Sequence, residues 1–242
     1  QTCIRIFDLL DLKYELKPSN FFNDFKDKHI DYHTTRYDKT LFNLDPSFNY
    51  NLIGRFDTYT YWYNDIKKEV ESWKYKKPLQ EQADKRMDKI KNHFNNNKPT
   101  VSVHFRRGDY LLPQFSFCIL NNDYYLKAIT ENFKPINDYN FVVFSNDIEY
   151  SKSVLEGDNI WFVDPEGEGV CTNSEKEDLV LMSLCDHHII ANSSYSWWGA
   201  FLSKNPNKKI ICPTNWLKSS HPSSWMNGNY FPSNWINIDN KN

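Results

Sequence analysis

The sequence lacks the features that would place it in several common classes. No apolar run approaches the roughly 20 residues of a membrane span, and no secretory-leader pattern opens the chain. Five cysteines (Cys3, Cys118, Cys171, Cys185, Cys212) are odd in number and widely spaced, and none stands in a C-x-x-C pair. That argues against a disulfide framework or a zinc site, and for reduced thiols in a cytoplasmic chain. An excess of one charge is missing too: the formal net charge is −2. Such a chain has no bulk attraction for nucleic acid or an anionic membrane surface, so an anion site must be built from a few placed cations. The chain opens on Gln1 rather than Met, which points to missing upstream residues and leaves an upstream membrane anchor open.

What is present is ample for a core: 242 residues, 40% apolar and 17% aromatic, enough for one large domain or two small ones. Residues 1–98 read as polar, aromatic-rich and irregular, with no clean run of strands and with helical spacing in two stretches. Tyr59 to Trp73 places Trp62, Ile66, Val70 and Trp73 on one face, and Gln80 to Asn95 does the same with Ala83, Met87, Ile90 and Phe94. The aromatic cluster Phe56, Tyr59, Tyr61, Trp62 and Tyr63 could stack on sugars, but aromatics at helical spacing are more often core. Asn95 to Pro99 reads as a linker.

From residue 99 strands and helices alternate. Strands are expected at 100–105, 139–145, 160–163, 188–191 and 208–212. Helices are expected near 123–134, 149–156, 175–187 and 196–204, the third opened by a capping box at Ser174 to Glu177. Alternation of this kind predicts a parallel sheet with helices on both faces.

The most informative stretch is Thr100 to Tyr110, T-V-S-V-H-F-R-R-G-D-Y. Val101, Val103 and Phe105 alternate with Ser102, His104 and Arg106 in the period of a strand. Arg106 and Arg107 then stand at its carboxyl end, before a Gly that allows a tight turn, where open α/β sheets bind ligands. Two guanidiniums there form a fixed cationic socket for a phosphate, since the Arg fork bonds oxyanions in pairs. An isolated R-R-G-D is more often a surface turn paired with nearby carboxylates. Two further strand ends carry polar groups: Asp147 after F-V-V-F-S-N, and Ser193, Ser194 and Ser196 before W-W-G-A. Asp147 alone would read as a helix cap, and the serines as caps as well. Three such groups at corresponding strand ends of one sheet raise the ligand-binding reading, with the serines at a helix N-terminus suited to an anion.

These blocks resemble the alpha-1,2-fucosyltransferase family. The resemblance rests on H104-F-R-R-G-D-Y110, F144-S-N-D-I148, D178-L-V-L-M-S-L-C-D-H-H-I-I-A-N-S-S-Y-S-W-W-G-A200 and P213-T-N-W216, and covers roughly residues 50 to 220, counting Gly54-Arg55-Phe56 through Ile66. It implies an α/β, GT-B-like architecture, with residues 1–98 a partial, helix-rich acceptor-side domain and residues 99–242 a GDP-sugar-binding Rossmann-like domain. It also implies a GDP-fucose donor, a galactose-terminated glycan as acceptor, and inverting transfer with no cofactor and no obligatory metal. Carried onto this chain, the resemblance implies that Arg106 binds the leaving diphosphate while His104 and Asp147 face the guanine; Arg107, Ser193, Ser194 and Ser196 are further candidates for binding the donor. Asp109 is a candidate catalytic base, or else holds Arg107 in place. No strict D-x-D occurs; Asp164-Pro165-Glu166 comes nearest.

Three departures stand out. Asn146 replaces the first acid of the family's S-D-D, Cys185-Asp186-His187-His188 stands where C-K-H-N is usual, and the family's G-G-L-G-N-Q loop is absent. Together with Gln1 this implies a truncated chain. Two rival readings remain: a catalytically impaired sugar- or nucleotide-binding relative of the same fold, and a single-strand nucleic-acid binder, which the negative charge and the lack of a basic stripe count against.

Overall fold

The structure is a computed structural model and describes residues 9–11, 29–34, 49–54, 70, 72–163, 174–221 and 230–240. Most of the helix expected from Tyr59 to Trp73, its aromatic cluster, the segment from Arg55 to Ile66, Asp164-Pro165-Glu166, Cys3 and Cys171 lie outside the described residues.

Two strands, β1 (His29–Thr34) and β2 (Asn49–Gly54), pair in parallel. The sequence of this half shows no clean run of strands, so the pair is a correction to its reading as irregular. Both are six residues long and mix Asn, Asp, His and Thr with their apolar positions, so neither announces itself as a strand.

The main sheet holds β3 (Thr100–Phe105), β4 (Asn140–Ser145), β5 (Ile160–Phe162), β6 (His187–Ile189), β7 (Ile210–Pro213) and β8 (Ile236–Ile238). Its spatial order is β5-β4-β3-β6-β7-β8, with every neighbouring pair parallel. That is the order of a doubly wound dinucleotide-binding sheet, in which successive strands go one way from β3 and then the other way from β6. Among the described residues five helices accompany it: α1 (Lys77–Phe94), α2 (Asn122–Asn132), α3 (Ile148–Val154), α4 (Ser174–Ser183) and α5 (Ser194–Leu202).

Both faces of the sheet are covered. Val101, Val103 and Phe105 of β3 pack with Tyr124, Tyr125, Ala128 and Ile129 of α2. Val142 and Phe144 of β4 pack on the opposite side with Ala83, Met87 and Ile90 of α1 and with Val180, Leu181 and Met182 of α4. A parallel strand buried on both faces has no solvent side, which is why β4 reads as an unbroken apolar run. Helix α1 ends at Asn95 in the left-handed region (φ 46°), and the chain turns there into the sheet. This helix, on the amino side of the boundary expected between residues 98 and 99, shares its core with the sheet, and Arg86 bonds Asp178 of α4 at 2.6 Å.

Helices α4 and α5 approach closely at Gly199, where a Cβ would lie 2.5 Å from Sδ and 3.0 Å from Cγ of Met182. Gly199→Ala will therefore destabilise the chain by overpacking, at about 1–3 kcal/mol, against a helix-propensity gain of about 1 kcal/mol. In a Met182→Ala background the crowding is gone and only the gain remains, so the same substitution becomes stabilising. Urea midpoints across the four chains of this cycle measure that change of sign.

Candidate active site

Between β3 and β6 the winding of the sheet reverses, and the loops leaving their carboxyl ends diverge to open a crevice. The strand ends of β3, β4 and β6 bring Arg106 to Tyr110, Asn146 and Asp147, and Asn192 to Ser196 to this edge.

Arg106 is the first residue beyond β3. Its Nη2 lies 2.8 Å from Oδ2 and 2.7 Å from Oδ1 of Asp109, because the 3-10 turn Gly108–Leu111 folds Asp109 back onto it. The guanidinium stands 5.0 Å from the ring centre of Tyr110, and its Nε is buried without an acceptor. The Tyr110 hydroxyl donates to the Asn192 carbonyl at 3.1 Å, and its ring stacks on Phe117 at 4.2 Å. Burial raises the Tyr110 phenol; the Arg106 charge acts against that and the Asp109 charge with it.

Arg107 is held more tightly. Its backbone N–H donates to Oδ1 of Asn146 (2.9 Å), its Nε donates to Oδ2 of Asp147 (3.2 Å), and its guanidinium lies 3.5 Å above the Tyr150 ring. Gly108 completes the turn at φ +37°, where a Cβ would fall 2.4 Å from Nδ2 of Asn146. Asp147 caps α3, its Oδ1 accepting the Tyr150 N–H at 3.3 Å, so cap and ion pair are one side chain. Each guanidinium of the expected socket has a carboxylate partner, and the two pairs cancel in formal charge. Asp109 holds Arg106, while Arg107 takes Asp147 as its partner.

His104 is buried on β3, 5.5 Å from the Tyr195 ring, with Nδ1 lacking a partner. Burial first, and the Arg106 charge second, push its pKa down to about 3. The folded chain keeps this imidazole neutral where the unfolded chain protonates it, below about pH 6.5. Acidification below that value therefore favours unfolding, by about 1.4 kcal/mol per pH unit until the folded value is approached. Urea midpoints between pH 7 and 5 will fall less steeply in His104→Gln than in the parent.

Ser193 occupies the N-cap position of α5 but makes no side-chain cap bond, and the first turn of α5 holds no acidic residue. Ser194 is exposed there. The Ser196 hydroxyl turns inward, 3.3 Å from the Ser193 carbonyl and 3.4 Å from that of Ala191, so its one proton is committed to the helix. Tyr110 links this turn to Arg106, its hydroxyl on the Asn192 carbonyl and its ring beside the guanidinium, and a helix N-terminus next to a cation favours an anion.

Sequence reasoning missed Tyr110 and Asn192. Buried Asn192 donates from Nδ2 to the carbonyls of Cys118 (2.8 Å) and Trp216 (2.9 Å), and its own carbonyl takes the Tyr110 hydroxyl. It ties three loops over the crevice. Its place beside the serines was the available signal, but Cys118 and Trp216 come to it only through the fold.

A cavity of about 600 Å³ lies elsewhere, at the amino edge of β6 and β7, lined by Trp73, Tyr75, Leu184, Leu202 and their neighbours. Among its polar walls Tyr75 is bonded to Ser183 and Asn205 to the Asp186 carbonyl. Among the described residues no group of three or more His, Cys, Asp or Glu could hold a metal ion, and no helix is long and apolar enough to cross a membrane.

The family model described as Glycosyl transferase family 11 matches residues 9–239. The O-antigen biosynthesis glycosyltransferase WbnK of Escherichia coli is 36% identical over 143 residues, 54% of this chain and 45% of that protein. An Alpha-1,2-colitosyltransferase of the same organism is 35% identical over 150 residues, 58% of this chain and 48% of that protein. Galactoside alpha-(1,2)-fucosyltransferase 1 of Mico humeralifer is 28% identical over 132 residues, 52% of this chain and 35% of that protein. The chain spans about half the length, or less, of these curated relatives.

Proposed function

The chain belongs to glycosyl transferase family 11, and we propose that it moves L-fucose from GDP-fucose to a hydroxyl of a galactose-terminated glycan, in α-1,2 linkage, with inversion and without an obligatory metal. The observation that carries this reading is Arg106, whose buried Nε has no acceptor and whose guanidinium lies at the reversal of the sheet beside the α5 N-terminus.

In this reading the acceptor hydroxyl oxygen attacks the anomeric carbon from the side opposite the leaving group. The bond from that carbon to the phosphate oxygen breaks, GDP departs with the electron pair, and the hydroxyl proton goes to a general base. Arg106 offsets the charge that grows on the diphosphate, as a fixed donor needing no reorganisation. The free N–H groups and the Ser193 and Ser194 hydroxyls of the α5 N-terminus add to that field, and Arg107 supports it from its seat on Tyr150. His104, neutral and buried, offers Nδ1 to the base, and Asp147 keeps a second lone pair on each oxygen for guanine's N1–H and N2–H.

A second donor has a specific observation in its favour, since one relative at 35% identity carries the name colitosyltransferase. The chain is to be incubated with a galactose-terminated acceptor and either GDP-fucose or GDP-colitose, with the product linkage read by NMR. The reading expects an α-1,2-fucosyl product; colitosyl product alone would replace the sugar, and no product from either would refute the activity.

A further inference from the structure

The two ion pairs at the crevice differ in what they leave open. Arg107 is bonded to the Asn146 side-chain oxygen through its backbone N–H and to Asp147 through its Nε, with its guanidinium over the Tyr150 ring. Arg106 lacks the matching bond at Nε. Asp109 takes Nη2, while Nε stays buried with no acceptor and the side chain remains 20% exposed. Asp109 itself is 30% exposed and sits on the rim, three residues along the chain from its partner.

A carboxylate in that position has two opposite effects on an anion approaching Arg106. It anchors one end of the fork, so the remaining N–H groups point in a fixed direction. It also stands within a few ångströms of any phosphate bound at the other end, as a like charge at a partly desolvated site. Neutral His104 beneath and the closed Arg107–Asp147 pair beside it add no net positive charge to offset that repulsion.

We propose that Asp109 is a positioning residue and counter-ion for Arg106 that deliberately weakens the hold of the crevice on the nucleoside diphosphate product, so that the product leaves after transfer. The inference rests on the reading of this crevice as the nucleotide-sugar site. A general base at Asp109 would have to give up its bond to Arg106 in order to take a proton. A counter-ion keeps that bond throughout, and its negative charge acts only when a second anion arrives.

The three roles open to Asp109 separate in one experiment. Asn at this position keeps an oxygen for Nη2 and removes the charge, and Ser does so with a shorter side chain. GDP is to be titrated calorimetrically into the parent chain, Asp109→Asn and Asp109→Ser, with circular dichroism on each and steady-state transfer alongside. The expected result is GDP binding about tenfold tighter in the folded neutral variants, with kcat lowered and product inhibition by GDP stronger. Unchanged GDP affinity with transfer abolished would assign Asp109 to proton abstraction and overturn the inference. Weaker binding would leave Asp109 as a purely structural partner and overturn it as well. A parent chain that binds no GDP would instead refute the reading of the crevice on which the inference stands. Where Asp109→Asn fails to fold, Asp109→Ser gives the same decision.

Discussion

Arg106→Lys will fold as the parent chain does and lose sugar transfer by on the order of 100-fold or more, the rate equivalent of roughly 2–4 kcal/mol of transition-state stabilisation. On the proposed reading the fork is what the site uses: Nη2 is held by Asp109, the guanidinium stands over Tyr110, and Nε is buried with no acceptor. Lysine can keep the contact with Asp109, since an ammonium at the end of a four-carbon stem reaches the same carboxylate. It cannot then also present a second donor at the Nε position, because it is a point charge and not a planar fork. Folding is spared because the side chain lies beyond β3, outside the cores that hold the sheet. Initial rates at saturating donor and acceptor, with thermal unfolding as the control, measure it. Equal turnover in parent and variant would remove Arg106 from the mechanism.

Asp147→Asn will weaken GDP by roughly 5- to 150-fold relative to ADP and UDP. Guanine presents N1–H and N2–H side by side, and an ionised carboxylate can accept both; an amide meets one of them with a donor, leaving a buried group unpaired at about 1–3 kcal/mol. Two further roles of Asp147 set what else the substitution does. The cap on α3 survives, because Asn caps as well as Asp and can still accept the Tyr150 N–H. The pair with Arg107 loses its charge, but Arg107 keeps its seat on the Tyr150 ring and its backbone bond to Asn146. Calorimetric titration of the three nucleotides into both chains separates the cases. Equal weakening of all three would confine Asp147 to the cap and the ion pair.

The sheet was legible because β3 and β4 are buried on both faces, so their residues are apolar and β-branched in short runs bounded by turns. Chain direction followed from the alternation with helices. What escaped the reading depended on contacts far along the chain. Helix α4 stops at Ser183, although its pattern continues toward residue 187, because the Asp186 carboxylate takes the Thr100 N–H at 2.8 Å and draws the chain into β6. Likewise α5 stops at Leu202, ahead of Pro206, as the Ser203 hydroxyl turns to the Cys185 carbonyl. Strand β8 is three residues long at a sheet edge and shows only Ile236 and Ile238 as a period, too little to separate from a loop.

The site was legible as positions and not as charge. Three strand ends with Arg, Asp and Ser at the carboxyl edge could be read from the order of the elements. That Asp109 would fold back on Arg106 depends on the 3-10 turn, and that Asp147 would take Arg107 depends on the β3–β4 register, which aligns Phe105 with Ser145. A sequence shows four charged residues; only the fold pairs them and leaves one guanidinium N–H without an acceptor.

On the proposed function a nucleoside diphosphate binds where the sheet reverses, between the ends of β3 and β6. Amide hydrogen exchange with and without saturating GDP is the direct test. Protection is expected in residues 106–110, 145–148 and 192–196, with little change around the cavity lined by Trp73, Tyr75, Leu184 and Leu202. Protection at that cavity and none at the three strand ends would contradict it.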